Sequence, residues 1–558
     1  MLCAKMFLRI AETKDRGKSY RYLKLVEGYR DPDGRSRQRV ICTLGRVEEL
    51  AASGKLDAWR RVLDRVEGKA ALGPAAVGVR QARAFGGPYV LEAIWQELGL
   101  PELFREAKGD KKLRFDAALA VEAMVLNRLL APRSKLAVQR WAPRMALGEG
   151  EAGELGYQHY LRALDLLHAG QRMLEEELFL KVSDLFGLEL DLVFYDVTSS
   201  YFEGAACELA RHGHSRDHRS DRPQLVLGLA VTREGLPIAH RVFAGNTADV
   251  TTVAGMVEEL RGRFRIGRCL LVADRGMVSV ENLQAIRETG YRYLIALKRR
   301  QGELVRGAIG DGGMDGYGEV QDGLWAKEVA GPDGDRLIVC HSAERSEEER
   351  GWREELIAET EAELGKLRKR SLGKRPPGHD ELVEAVTRIL RSSYGYRYLW
   401  YRVEATGELA YGRKEDVLAE EVRRDGKFVL RTNDQSLGAA DAALAYKQLQ
   451  RVERGFRELK DFLKLRPIRH WRRERVEAHV GVCVLAYLLE MVLEQKLARG
   501  GLPMTAQAAL EALEPVKQVL TEVNGRRFLC LTDWPQQATK VLRALGLDTP
   551  PKTIALNA

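Results

Sequence analysis

The chain has 558 residues, 45% apolar and 30% charged, which excludes a disordered or fibrous polymer and leaves a folded protein of about three to five units. The net charge of +9 is unevenly spread: Met1–Arg46 holds twelve Lys and Arg against five Asp and Glu, and Tyr446–Arg475 eleven against four, so each carries +7 on an otherwise slightly acidic body. Two concentrated basic patches fit a polyanionic partner, nucleic acid before others.

Seven scattered cysteines without a CxxC pair argue against a disulfide framework or a thiolate zinc site, and for a reducing cytosol. The opening MLCAKMFLRIAETK lacks the apolar core of a signal peptide. The apolar run Val480–Leu489 stops at Glu490, too short for a bilayer, so no membrane role is expected.

In chain order, residues 1–83 read as a small basic β-containing unit. SYRYLKLVEGYRD and RQRVICTLG are predicted strands joined around Asp33-Gly34. Arg35, Arg37 and Arg39 alternate with Ser36, Gln38 and Val40 and so share a strand face. That face is either a phosphate-contacting ribbon or an edge guarded by charge, and DNA contact is the expectation. Residues 84–189 are helical in character, with three- and four-residue apolar spacing over Tyr89–Leu98, Phe115–Leu130 and Arg162–Leu185. Arg133, Lys135, Arg140 and Arg144 read there as a solvated face.

The pattern changes at Leu190. LDLVFYDVTSSYFEG predicts a strand buried on both faces whose apolar run gives way at Asp196. Such an acid is either a solvated strand end or a group held by a partner or a metal. The loop Arg211–Pro223 offers His212, His214 and His218, but no cysteine and many competing charges, so zinc is not expected there. QLVLGLAVT and PIAHRVFAG then predict a hairpin, Val253–Arg263 a helix, and CLLVAD a fourth strand closing on Asp274. Ser279–Thr289 predicts a helix capped by Ser279, and YRYLIALK a fifth strand. In this β-β-β-α-β-α-β order the first and fourth strands are neighbours, so Asp196 and Asp274 face one another. Two close acids repel unless a cation lies between them, and Mg²⁺ takes oxygen ligands of this kind.

Residues 301–422 interrupt this order with GLWAKEV, RLIVCHS, YRYLWYRVE and a charged helical stretch, which together predict a β-rich inserted module. KFVLRTN resumes as a strand and is an alternative fifth strand. Ala442–Phe462 is the sharpest predicted helix, with Ala445, Leu449, Val452, Phe456, Leu459 and Leu463 as an apolar stripe. Tyr446, Glu453 and Lys460, seven apart, line an adjoining face. Glu453 lies among Arg451, Arg454, Arg457 and Lys460, as half of an ion pair with Arg457 or as an acid kept for chemistry.

FYDVTSSYFEG, GNTADVTT with VADRGM, and YKQLQRVERGFRELK with LRPIRHW and AHVGV together resemble the DDE transposases of bacterial insertion sequences. The likeness is to the group with a YREK signature and a β-rich insertion before the Glu, and it spans about Asp191 to Val484. It implies a ribonuclease-H-like mixed five-stranded α/β sheet built from residues 190–300 and 423–495. The insertion 301–422 would interrupt that sheet, and a helical tail, 496–558, would follow it. It implies Asp196, Asp274 and Glu453 as the acid triad holding two Mg²⁺ ions, with Mn²⁺ able to substitute. Tyr446 and Lys460 fall at the signature Tyr and Lys. Leu449 stands where the family has Arg, with Arg451 or Arg454 as substitutes, and Arg457 joins them as an expected DNA contact.

The implied activity is DNA end cleavage and strand transfer, on double-stranded element ends and target DNA, by a homodimer at the nucleoid in the bacterial cytoplasm. The alternatives are a ribonuclease-H-like structure-specific nuclease and a transposase-derived DNA-binding protein that no longer cuts.

Overall fold

A computed structural model describes residues 5–15, 18–30, 35–53, 55, 77–109, 112–148, 153–188, 191–204, 207–266, 269–274, 277, 279–298, 302–404, 407–523 and 526–556. At the start, β1 (Lys5–Asp15), β2 (Lys18–Arg30) and β3 (Ser36–Arg46) form an antiparallel three-stranded sheet. β2 and β3 match the two predicted strands, whereas the turn at Asp33-Gly34 lies outside the described residues. β1 was not anticipated: Phe7, Leu8 and Ile10 are all exposed, so it lacks the buried alternate face that marks a strand. β4 (Val77–Ala84) leads into helices α1 (Gly86–Glu97), α2 (Leu100–Lys108), α3 (Ala117–Leu130), α4 (Lys135–Trp141) and α5 (Tyr157–Phe186). The helical reading of this region holds, but Lys135 is buried rather than on a solvated face.

The centre is a mixed nine-stranded sheet. Its strands are β5 (Leu192–Tyr201), β6 (Gln224–Thr232), β7 (Pro237–Ala244), β8 (Leu270–Ala273), β9 (Arg292–Ala296), β10 (Gly318–Gln321), β11 (Leu324–Ala330), β12 (Arg336–Ser342) and β15 (Lys427–Thr432), β13 and β14 lying elsewhere. They run in the order β7-β6-β5-β8-β9-β15-β12-β11-β10. β8 pairs in parallel with both β5 and β9, and the other pairs are antiparallel. β9 is therefore the fifth strand of the series, and KFVLRTN is its next neighbour.

The β-rich insertion needs correction. The three strands β10–β12 extend the central sheet instead of forming a module of their own. The rest of residues 301–422 is mostly helical, with α8 (Ala343–Ser371) and α9 (His379–Ser392) packed on the small hairpin β13 (Leu399–Val403) and β14 (Leu409–Arg413). Leu356, Leu364, Leu382, Val386 and Leu409 fill a separate core there. α8 is the predicted charged helical stretch and buries only a thin stripe on an otherwise charged surface, whereas the helix α9 was not anticipated.

The sheet is covered on both faces. α6 (Val253–Gly262) and α7 (Val280–Glu288) pack on one side with Val193, Tyr195, Leu271 and Tyr293. The other side, with Leu192, Phe194 and Val272, shares a continuous core with α1 to α5 and with the long helix α12 (Arg473–Arg499). α12 is long and apolar enough to cross a bilayer, but 94% of its apolar window is buried inside the protein. It is a core helix, apolar all round because other elements surround it.

The predicted helical tail holds over Ala506–Leu513 and Gln536–Ala544, and the rest of it is corrected. β16 (Lys517–Val523), β17 (Arg526–Leu531) and β18 (Thr553–Leu556) join β4 in a four-stranded antiparallel sheet, ordered β18-β17-β16-β4. The alternating runs on either side of Asn524-Gly525 carry a hairpin signal that the helical reading passed over.

Leu489 is fully buried on α12. Leu489→Ala should lower unfolding free energy by about 2–5 kcal/mol, the usual cost of a large-to-small core change, measured by urea titration.

Candidate active site

The site begins with one register. The β5–β8 ladder runs in parallel from Leu192 opposite Leu270 to Tyr195 opposite Ala273. Partners in such a ladder point to the same face, and neighbouring strands lie about 4.8 Å apart. The next residues along, Asp196 and Asp274, therefore stand side by side. With a side-chain period of two, they share the face of Leu192, Phe194 and Val272, the side covered by the large helical core.

β5 does not stop at its acid, contrary to the predicted strand end. It runs on to Tyr201 because its other neighbour, the fully buried β6, continues the ladder past Asp196 to Tyr201 opposite Gln224. Thr198, Ser199 and Ser200 are buried in it. On the opposite face Tyr195 lies across Gly228, where a Cβ would stand 2.5 Å from the phenol oxygen.

Above the acids, the predicted single helix 442–462 is three segments. These are α10 (Ala439–Lys447), α11 (Gln450–Arg457) and a π-helical turn over Glu458–Phe462. The apolar stripe behaves as expected, with Leu449, Val452, Phe456, Leu459 and Leu463 buried. Leu449 occupies the core and cannot hold the charge of an Arg. Tyr446 Oη donates to Asp274 Oδ1 at 3.2 Å. Glu453 is exposed on its outer side and makes no ion pair among the described residues, although Arg457 is near enough to favour its charged form.

Burial, then the charges of Asp274 and Glu453, push the Asp196 carboxyl up to about 7, against the Val197 N–H and the nearby Arg216 guanidinium. Burial and Asp274 also raise Glu453 above its ordinary value. The three acids thus sense one another across strand, strand and helix. Among the described residues no three His, Cys, Asp or Glu side chains stand close enough to form a ready-made metal cage. The chemistry of the donor set, carboxylates that resist ionising together, nevertheless suits a hard divalent cation.

The expected DNA contacts divide. Arg451 and Arg457 are exposed and, with Lys447, Gln448 and Arg454, line an open groove beside α11. Arg454 turns to Glu494, with Nη2 at 2.8 Å from both carboxylate oxygens, so it does not stand in for the missing Arg beside the acids. Lys460 Nζ donates to Asp217 Oδ1 at 2.8 Å. Arg37 and Arg39 alternate on β3, with Arg35 just before it. Arg39 pairs with Glu27 across the sheet and lies over Tyr29, so part of that face is an internally neutralised edge. His212, His214 and His218 are exposed and gather no metal set among the described residues.

Sequence reasoning missed Arg216, Asp217, Asp249 and Arg466. Arg216 pairs with Asp249 at 2.5 Å, and its N–H donates to Ser199 Oγ at 2.8 Å. Arg466 joins Lys460 on Asp217. For Arg216 and Asp217 the signal was the run RHGHSRDHRSDR between two buried strands, where so many alternating charges have little room to be solvated separately; Asp249 and Arg466 gave none.

Residues 188–489 match the family described as "Transposase DDE domain", and residues 8–72 match "IS1634 family transposase, N-terminal domain". No curated protein matches the chain.

A raised carboxyl binds a proton in the folded state that it releases when unfolded, so Asp196 lowers stability progressively as pH climbs from about 4 to 7. Asp196→Asn should therefore raise the melting temperature of metal-free protein at pH 8, with the gain shrinking as pH falls through 7 and vanishing near 4. Thermal melts in chelator across that range measure it.

Proposed function

The chain belongs to the IS1634 family of insertion-sequence DDE transposases, and we propose that it cuts the ends of its element and joins them to target DNA through Asp196, Asp274 and Glu453. The observation that supports this most directly is the register that sets Asp196 beside Asp274 beneath the helix bearing Glu453. The three carboxylates would hold Mg²⁺, or Mn²⁺ in its place. When bound, such ions activate a nucleophile and stabilise a leaving oxygen in phosphoryl transfer.

The chain's own residues then orient and bind. Tyr446, through its bond to Asp274, fixes one carboxylate against rotation. Arg457 moderates the charge of Glu453 and, with Arg451, offers the groove beside α11 to DNA phosphates. Such contacts place the duplex without reading its sequence. Water attacks the end phosphodiester first and the 3′-oxygen leaves as a hydroxyl. That hydroxyl then attacks a target phosphodiester in the same pocket, and the target strand's own 3′-oxygen leaves as a hydroxyl. The basic N-terminal unit, with Arg35, Arg37 and Arg39, serves recognition of the element ends. Two copies bring two ends together, acting at the nucleoid in the bacterial cytoplasm.

With end DNA and Mg²⁺ or Mn²⁺, Asp196→Asn and Glu453→Gln should each lower cleavage roughly a thousandfold, as expected when several kcal/mol of charge stabilisation is removed. Cleavage by either variant at the wild-type rate overturns the assignment. Arg457→Gln should weaken binding to any duplex and flatten the slope of log affinity against log salt by about one, read from binding isotherms at several salt concentrations.

A further inference from the structure

The loop between β5 and β6 brings one carboxylate under two cations. Lys460 Nζ lies 2.8 Å from Asp217 Oδ1, and Arg466 Nη1 shares that same oxygen. The Asp217 side chain is only 2% exposed, and its second oxygen, Oδ2, is buried without a hydrogen-bond partner among the described residues. A buried carboxylate left half-satisfied is costly, so its position needs a reason. Its neighbour Arg216 is held by backbone to Ser199, three residues beyond Asp196 on the same strand. Arg216 also favours the charged form of Asp196. Asp217 is thus fixed to the strand of the first acid while gripping the side chain two turns beyond the third.

We propose that Asp217 is a positioning residue that locks Lys460 and Arg466 beside the acid pocket, so that they meet a phosphate next to the one being cut. An ammonium on a four-carbon stem is a flexible point charge. Two cations held on one oxygen keep a fixed direction and lose little freedom when DNA arrives. Arg466 also holds the exposed Asp461 at 2.9 Å on its outer side, so the two cations stand against two carboxylates before DNA arrives. A substrate phosphate competes for Arg466 with the exposed Asp461, while the buried Asp217 keeps both cations in place. The histidines of this loop have no part in it; the loop's role is carried by the Arg216-Asp217 pair.

The inference rests on the proposed cleavage reaction, so wild-type protein on duplex carrying the element end is the first arm. No cleavage there sinks that reaction and this inference with it, whereas cleavage by wild type leaves Asp217 to be judged alone. Asp217→Asn should lower the cleavage rate roughly 10- to 100-fold, the range for misplacing a positioned group, with end-DNA affinity little changed. In a Lys460→Met background the same substitution should cost less than about twofold, because residues acting as a unit are not additive. An equal loss in both backgrounds marks a merely structural ion pair and overturns the proposal, as does wild-type or faster cleavage by Asp217→Asn. If Asp217→Asn melts below the assay temperature, Asp217→Glu replaces it. The longer side chain keeps the charge but moves it, so cleavage should still fall by roughly tenfold, and wild-type cleavage overturns the proposal.

Discussion

Two carboxylates on adjacent parallel strands, facing a packed helical layer, repel one another and resist desolvation at the same time. Much of the surrounding structure is arranged around that constraint. The register of Tyr195 against Ala273 makes the pair unavoidable. The Val197 N–H, the Tyr446 hydroxyl and Arg216 each offset part of the charge. What remains uncompensated is a pocket with a standing preference for positive charge, which a hydrophobic sheet of this kind otherwise lacks.

The inserted residues matter to this pocket more than an appended module would. Their strands β10–β12 lie on the same sheet, and β15 is clamped between β12 and β9. α10 begins seven residues after β15 ends, so the placement of Tyr446 and then Glu453 is inherited from that pairing. The first two acids depend instead on β5 and β8, deep in the sheet.

The parts of the site legible in the sequence were those written as local contrast: an acid interrupting an apolar run, as at Asp196 and Asp274, or an apolar stripe through a basic helix, as around Glu453. The five strands from β5 to β9 were legible for the same reason, being short, apolar and separated by turns. Features set by distant pairing were not. Nothing local tells that GLWAKEV and RLIVCHS extend the central sheet, or that residues near the C-terminus pair with Val77–Ala84. The break in the helix at Leu449 and the π-helical turn after Arg457 depend on packing over the sheet, which overrides a continuous helical period. Asp217 was hidden because its meaning comes from Lys460, 243 positions later.

The pairing of β4 with β16 has a bearing on how the molecule comes into being. Val77–Ala84 finds its partner only once Lys517–Val523 has been made. Until then β4 has, among the described residues, no ladder to hold it in a sheet, only its bridge at Ala84 to Met145. Local helices and the β5–β9 portion can form as they are made, because their partners are near in sequence. The pairing of β4 with β16 is therefore a late closure, and it separates this four-stranded sheet from the elements that form between near neighbours.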